Sequence, residues 1–76
     1  MEEKILELRK YYKDNPKKKR IFCEKGMKTY ASTHITLLKI EGDMVIYAHG
    51  KGEDLIHTER MLWLKDFILN YEEIDY

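Results

Sequence analysis

The chain is predicted to fold as an α+β domain: an N-terminal helix, a four- to five-stranded, mostly antiparallel sheet, and a C-terminal helix packed on one face. Three observations predict it. Residues 35–68 run as short apolar-rich strands broken by glycine-containing turns, ending in a helix. A separate amphipathic stripe opens the chain, and Asn15-Pro16 ends it. Between them stands a β-favouring run, RIFCE, followed by a turn at Gly26.

The elements follow in order. Residues 2–14 read as a helix, because Met1, Ile5, Leu8 and Tyr12 fall on one narrow stripe. Glu2 and Glu3 suit its positive end, Lys10 and Lys13 its negative end. Residues 20–24 form a strand with Ile21 and Cys23 on one side and Phe22 on the other. Lys25, Gly26, Met27 and Lys28 read as a hairpin turn, with residues 29–32 (TYAS) as the return strand. Residues 35–40 are the next strand, and the adjacent Leu37 and Leu38 imply burial on both faces or a bulge. A turn at 41–43 leads into a strand at 44–49, with Val45 and Tyr47 on one face and Met44, Ile46 and Ala48 on the other. After a loop at 50–54, residues 55–57 read as a short strand. Thr58 then caps a helix running to about Tyr71. Met61, Leu64, Phe67, Ile68 and Tyr71 form its core face; Leu62, Trp63 and Leu69 carry apolar surface round its side. The acidic tail 71–76 is expected to fray.

Seventy-six residues make one domain. A chain of this size buries roughly 60–65% of its unfolded surface, so its margin of stability is thin. Such cores gain from a disulfide, a metal or a second subunit. Cys23 is the only cysteine, which excludes an internal disulfide. A lone cysteine and a start too charged for a signal peptide point to the cytoplasm. No apolar run approaches the roughly 20 residues of a membrane span. Self-association is the remaining source of extra burial, and a homodimer is expected.

Net charge is formally zero, but it is unevenly placed. Residues 1–30 hold ten Lys or Arg against five acids; residues 31–76 hold four against nine. The basic half can meet phosphate, and the acidic half a basic partner or a second copy. Lys17, Lys18, Lys19 and Arg20 are the densest run, with Lys25 and Lys28 close behind in sequence. A basic run of this kind is a solvated loop or a phosphate contact.

No catalytic or metal-ligating constellation emerges. His34, His49 and His57 lack helical ligand spacing, and Cys23 completes no Cys/His set. Cys23 stands among apolar neighbours and reads as a small buried hydrophobe, not a nucleophile. HGKGED lacks the spacing of a phosphate-binding P-loop. No pair of carboxylates is singled out for acid–base work. The chain is therefore read as a non-enzyme with no cofactor and no small-molecule substrate.

Residues 19–69 run as KRIFCEKGMKTYAS and then HITLLKIEGDMVIYAHGKGEDLIHTERMLWLKDFIL. Ile35, Leu38, Ile40, Glu41, Tyr47, Gly50, Gly52, Leu55, Leu62, Lys65 and Leu69 fall where a LytTR-type DNA-binding domain places its hydrophobics and turns. In this order the stretch resembles the front two-thirds of that family. Family members continue past the helix into a segment with a His-Arg-Ser-like motif and further strands that contact DNA; this chain ends in EEIDY. The resemblance implies a transcription-regulatory, DNA-binding protein, with phosphate contacts left to residues 17–28.

Two functions are thus expected to compete. One is a protein-interaction or regulatory module that self-associates or inhibits a larger complex, with Leu62, Trp63 and Leu69 at its interface, since aromatics dominate such contacts. The other is a nucleic-acid-binding protein that grips phosphate through Lys17, Lys18, Lys19, Arg20, Lys25 and Lys28.

Overall fold

A computed structural model describes residues 2–50 and 59–74. Helix α1 (Glu2–Asp14) leads through a short loop into β1 (Arg20–Glu24). Strand β2 (Ile35–Glu41) and strand β3 (Met44–His49) form a hairpin. Strand β4 (Arg60–Trp63), helix α2 (Leu64–Asn70) and strand β5 (Tyr71–Glu73) follow without a break. The five strands make one antiparallel sheet in the order β4-β3-β2-β1-β5.

Both helices lie on one face of this sheet. Leu8 and Tyr12 of α1 and Leu64 and Phe67 of α2 meet Phe22, Ile35, Leu37, Val45 and Tyr47 in a single buried cluster. The Phe22 and Phe67 rings meet edge-on at 4.9 Å, and Tyr71 stacks on Phe67 at 4.8 Å. The α1 stripe therefore packs as its spacing implies: Leu8 and Tyr12 are buried, and Ile5 rests against them. The backbone of Asn15 bonds the Tyr11 carbonyl at 2.8 Å and its side-chain amide bonds the same oxygen at 3.1 Å, closing the helix before Pro16.

Strand alternation sorts the other side chains. Cys23, Thr36, Ile46 and Ala48 are buried on the sheet face away from the helices. A bulge between Leu37 and Lys39 shifts the β2 register, as the doubled leucines anticipate. The β2–β3 loop has two residues, Gly42 and Asp43, between the paired Glu41 and Met44. Gly42 has φ +57°, and among the described residues no non-glycine residue, Asp43 included, has positive φ. That is the pattern of a type II′ hairpin turn, whose first central residue favours glycine. This turn also anchors both helices: Arg9 donates to the Gly42 carbonyl at 2.7 Å, and the Leu64 amide donates to the Asp43 carbonyl at 2.8 Å.

Three expectations are corrected. Residues 29–32 are not a return strand. β1 pairs directly with β2 on one side and with β5 on the other, so no edge is left for a local hairpin. The connection instead turns at Gly26 (φ +83°) and winds a 3-10 turn over Ala31–Thr33. The Thr33 hydroxyl donates to the Tyr30 carbonyl at 2.7 Å, a side-chain bond that competes with a strand ladder. Second, the long helix to Tyr71 is a strand, a seven-residue helix and a strand. Arg60–Trp63 is drawn into the ladder by β3, and Met61, assigned to the helix core face, is 59% exposed. Third, the tail does not fray at Tyr71: β5 pairs with β1 and Ile74 is buried. The strand expected at 55–57, Thr58 as a cap, and His57 lie outside the described residues.

Candidate functional site

The six basic residues 17–28 do not form one surface. Lys17, Lys18 and Lys19 precede β1; Lys25 and Lys28 follow it. A five-residue strand separates the two groups, a span of about 16 Å. Arg20, between them, is not available to a ligand. Its guanidinium reaches Glu73 through Nε and Nη2 and Glu7 through Nη1 and Nη2, and its side chain is only 14% exposed. It also lies 4.7 Å from the centroid of the Tyr11 ring. The hydrogen bonds from Arg20 hold the Glu7 and Glu73 carboxyls below the usual carboxylate range, against the opposing effect of their own burial. The Arg20 guanidinium is in turn held firmly in its charged form by its bonds to Glu73 and Glu7.

A different set of cations does converge. β1 begins at Arg20 opposite Leu37, so β2 runs on beyond it and leaves a corner under α1. There a cleft of about 210 Å³ is lined by Arg9, Tyr12, Lys13, Pro16, Lys19, Leu38, Lys39 and Ile40. Arg9 and Lys13 are four residues apart and share a face of α1. The Lys19 ammonium donates to the Pro16 carbonyl at 2.6 Å and lies 6.0 Å over the Tyr12 ring. Lys39 pairs with Glu41 at 2.9 Å, which raises its pKa, and Arg9 pairs with Asp43 at 3.0 Å. The Tyr12 hydroxyl donates to the Leu37 carbonyl at 2.6 Å and accepts from the Arg20 amide at 2.8 Å, fixing the inner wall. Burial pushes the Tyr12 phenol up to about 12.

The three residues expected at an interface are also divided. Leu62 and Trp63 are consecutive in β4 and face opposite sides of the sheet. Leu62 is half-buried against the core, and with Leu69, Met27, Tyr47 and Tyr71 it lines a shallow cleft beside α2 that Glu24, Lys25 and Asn70 make as polar as it is apolar. Leu69 is 45% exposed there. Trp63 is 57% exposed and joins Ile5 and Leu64 in a second groove of about 480 Å³. Met61 shares its face of β4, a neighbour that the helical reading hid. β4 ends the sheet, and its outer edge has no strand partner among the described residues.

No family model, curated protein or solved structure matches the chain. The function must therefore be argued from these surfaces. The other candidate groups are built into the fold. Burial raises the Cys23 pKa, which keeps the thiol protonated. His34 is buried, with Nε2 3.0 Å from the Lys28 carbonyl. Among the described residues no three His, Cys, Asp or Glu side chains gather as metal ligands.

Proposed function

We propose that this chain is a protein-interaction module that self-associates through the β4 edge. One observation carries the reading. The terminal strand presents Met61 and Trp63 side by side on one face, more than half exposed, along an edge with no described strand partner. An apolar edge strand offers both an unpaired ladder and desolvation energy, so it invites another strand. A second copy fits this edge in charge. An antiparallel self-pair centred on Leu62 sets Met61 of one copy opposite Trp63 of the other. It also brings Glu59 towards Lys65 at each end. Such a pair is isologous and closes as a two-fold dimer at the β4 edge. The extra burial serves a domain of this size, whose own core is small.

Sedimentation over a wide concentration range tests the reading. The expected species is a dimer that Met61→Lys with Trp63→Lys converts to monomer while the circular dichroism spectrum stays unchanged. A monomer at the highest soluble concentration overturns it.

A further inference from the structure

The cleft between α1 and β2 belongs to no part of that edge, and it carries an inference of its own. Its eight lining residues include four cations and no carboxylate. Two of the cations are matched outside the cleft, Arg9 by Asp43 and Lys39 by Glu41. The other two are not: Lys13 has no ion pair among the described residues, and Lys19 donates only to a neutral carbonyl. The carboxylates Glu7 and Glu73 are taken up by Arg20 and Lys4, and what sets Lys13 and Lys19 apart from the other unpaired lysines is that they line one cleft with Arg9 and Lys39. Unmatched positive charge gathered in a concavity raises the local concentration of anions.

The walls are fixed before any ligand arrives. The loop is held by the Lys18 amide on the Asn15 carbonyl at 3.1 Å, and its exit by the Tyr12 hydroxyl. The volume, about 210 Å³, is smaller than the roughly 300–1,000 Å³ of clefts that enclose a whole drug-sized molecule. It suits one small, multiply charged group. A phosphate group brings several acceptor oxygens, which suit the two ammoniums without a carboxylate, Lys13 and Lys19, in charge-assisted bonds, with Arg9 and Lys39 adding positive charge to the walls. Exposed Lys17 and Lys18 stand just outside and extend the positive field along the surface.

We propose that the cleft formed by Arg9, Lys13, Lys19 and Lys39 binds a phosphate group. That phosphate is either a free ion or one unit of a nucleic-acid backbone, and the experiment separates the two. The intact chain, labelled with ¹⁵N, is titrated with inorganic phosphate in one arm and with a short single-stranded RNA in the other. The expected result is a saturable shift of the amide signals of Lys13, Lys19 and Lys39. Saturation by inorganic phosphate assigns a free ion. Saturation by RNA alone, weakening as salt rises, assigns a backbone. Lys13→Gln with Lys19→Gln is expected to lower the affinity at least about tenfold, and in the RNA arm to reduce the salt slope by roughly one to two. Both side chains are exposed, so the variant keeps its fold. Lys25→Gln with Lys28→Gln, at the far end of β1, is the control and should change little. No saturable shift in either arm, or an equal loss in both variants, overturns the proposal.

Discussion

Arg20 joins three parts of the chain that are far apart in sequence. Its bonds to Glu7 and Glu73 tie α1, β1 and β5 together at a site that is largely but not wholly screened from water. Planarity matters here, because one guanidinium makes two bonds to each of the two carboxylates in a fixed fork, which a single ammonium nitrogen cannot reproduce. Arg20→Ala is expected to cost about 2 kcal/mol in urea denaturation, and Arg20→Lys to recover less than half. The same carboxylates set an acid limit. Glu7 and Glu73 are held below their ordinary value of 4.5, so their contribution is complete above that pH. It is lost as pH falls through the lowered folded values. Thermal melts of the native chain should therefore drop more between pH 5 and pH 2 than melts of Glu73→Gln. Tyr12 works in the opposite pH range. Its phenol is pushed up to about 12, so stability is intact below the ordinary value of 10.0 and declines as pH rises towards 12. Tyr12→Phe leaves the Leu37 carbonyl and the Arg20 amide without that hydroxyl, and should cost about 1–3 kcal/mol at neutral pH. It should also remove one late-titrating group from the tyrosinate absorbance curve.

The elements differ in how far local sequence decides them. The β2–β3 hairpin is decided by Gly42 at φ +57°. Nothing lies within 4 Å of where a Cβ would stand, so the cost of a side chain there is conformational and not steric crowding by neighbours. Gly42→Ala should destabilise by about 1–2 kcal/mol in chemical denaturation, with the slope against denaturant unchanged. A value near zero would remove the type II′ assignment. This turn, the α1 stripe ended by Pro16, and the alternation in β1 and β3 were legible because a few adjacent residues determine each. Residues 60–73 were not. MLWLKDFILNY has no glycine or proline to mark a boundary, and its apolar positions fit a helix as well as a strand. Only the ladder with β3 at one end and with β1 at the other confines the helix to seven residues. Tertiary pairing overrode local preference there. It also hid the neighbourhood of Met61 and Trp63, which share a face only in an extended strand.

At the scale of the whole molecule, the cleft was illegible for a related reason. Arg9 and Lys13, Lys19, and Lys39 come from three segments, and no run of sequence announces their meeting. The conspicuous run, Lys17 to Arg20, instead contributes its last member to a structural ion network. That network depends on β5, the final strand, which reaches back to pair with β1 about 50 residues earlier. β5 covers the edge of β1, supplies Glu73 to Arg20, and places the Ile74 amide on the Ile21 carbonyl at 2.9 Å. The Lys25 amide is likewise held by the Asn70 carbonyl at 3.0 Å. A strand formed so late in the chain closes the fold and is not an appendage to it. Hydrogen exchange should show the Ile74 and Lys25 amides protected to nearly the global stability, not at the low level of a fraying end. Truncation after Asn70 should remove about 3 kcal/mol or more, a large part of the roughly 5 kcal/mol expected of so small a domain. The shortened chain is then expected to lose its sharp thermal transition. If Ile74 exchanges as fast as an unstructured amide while the transition survives truncation, β5 adds nothing to the fold, and Arg20 must be held by Glu7 alone.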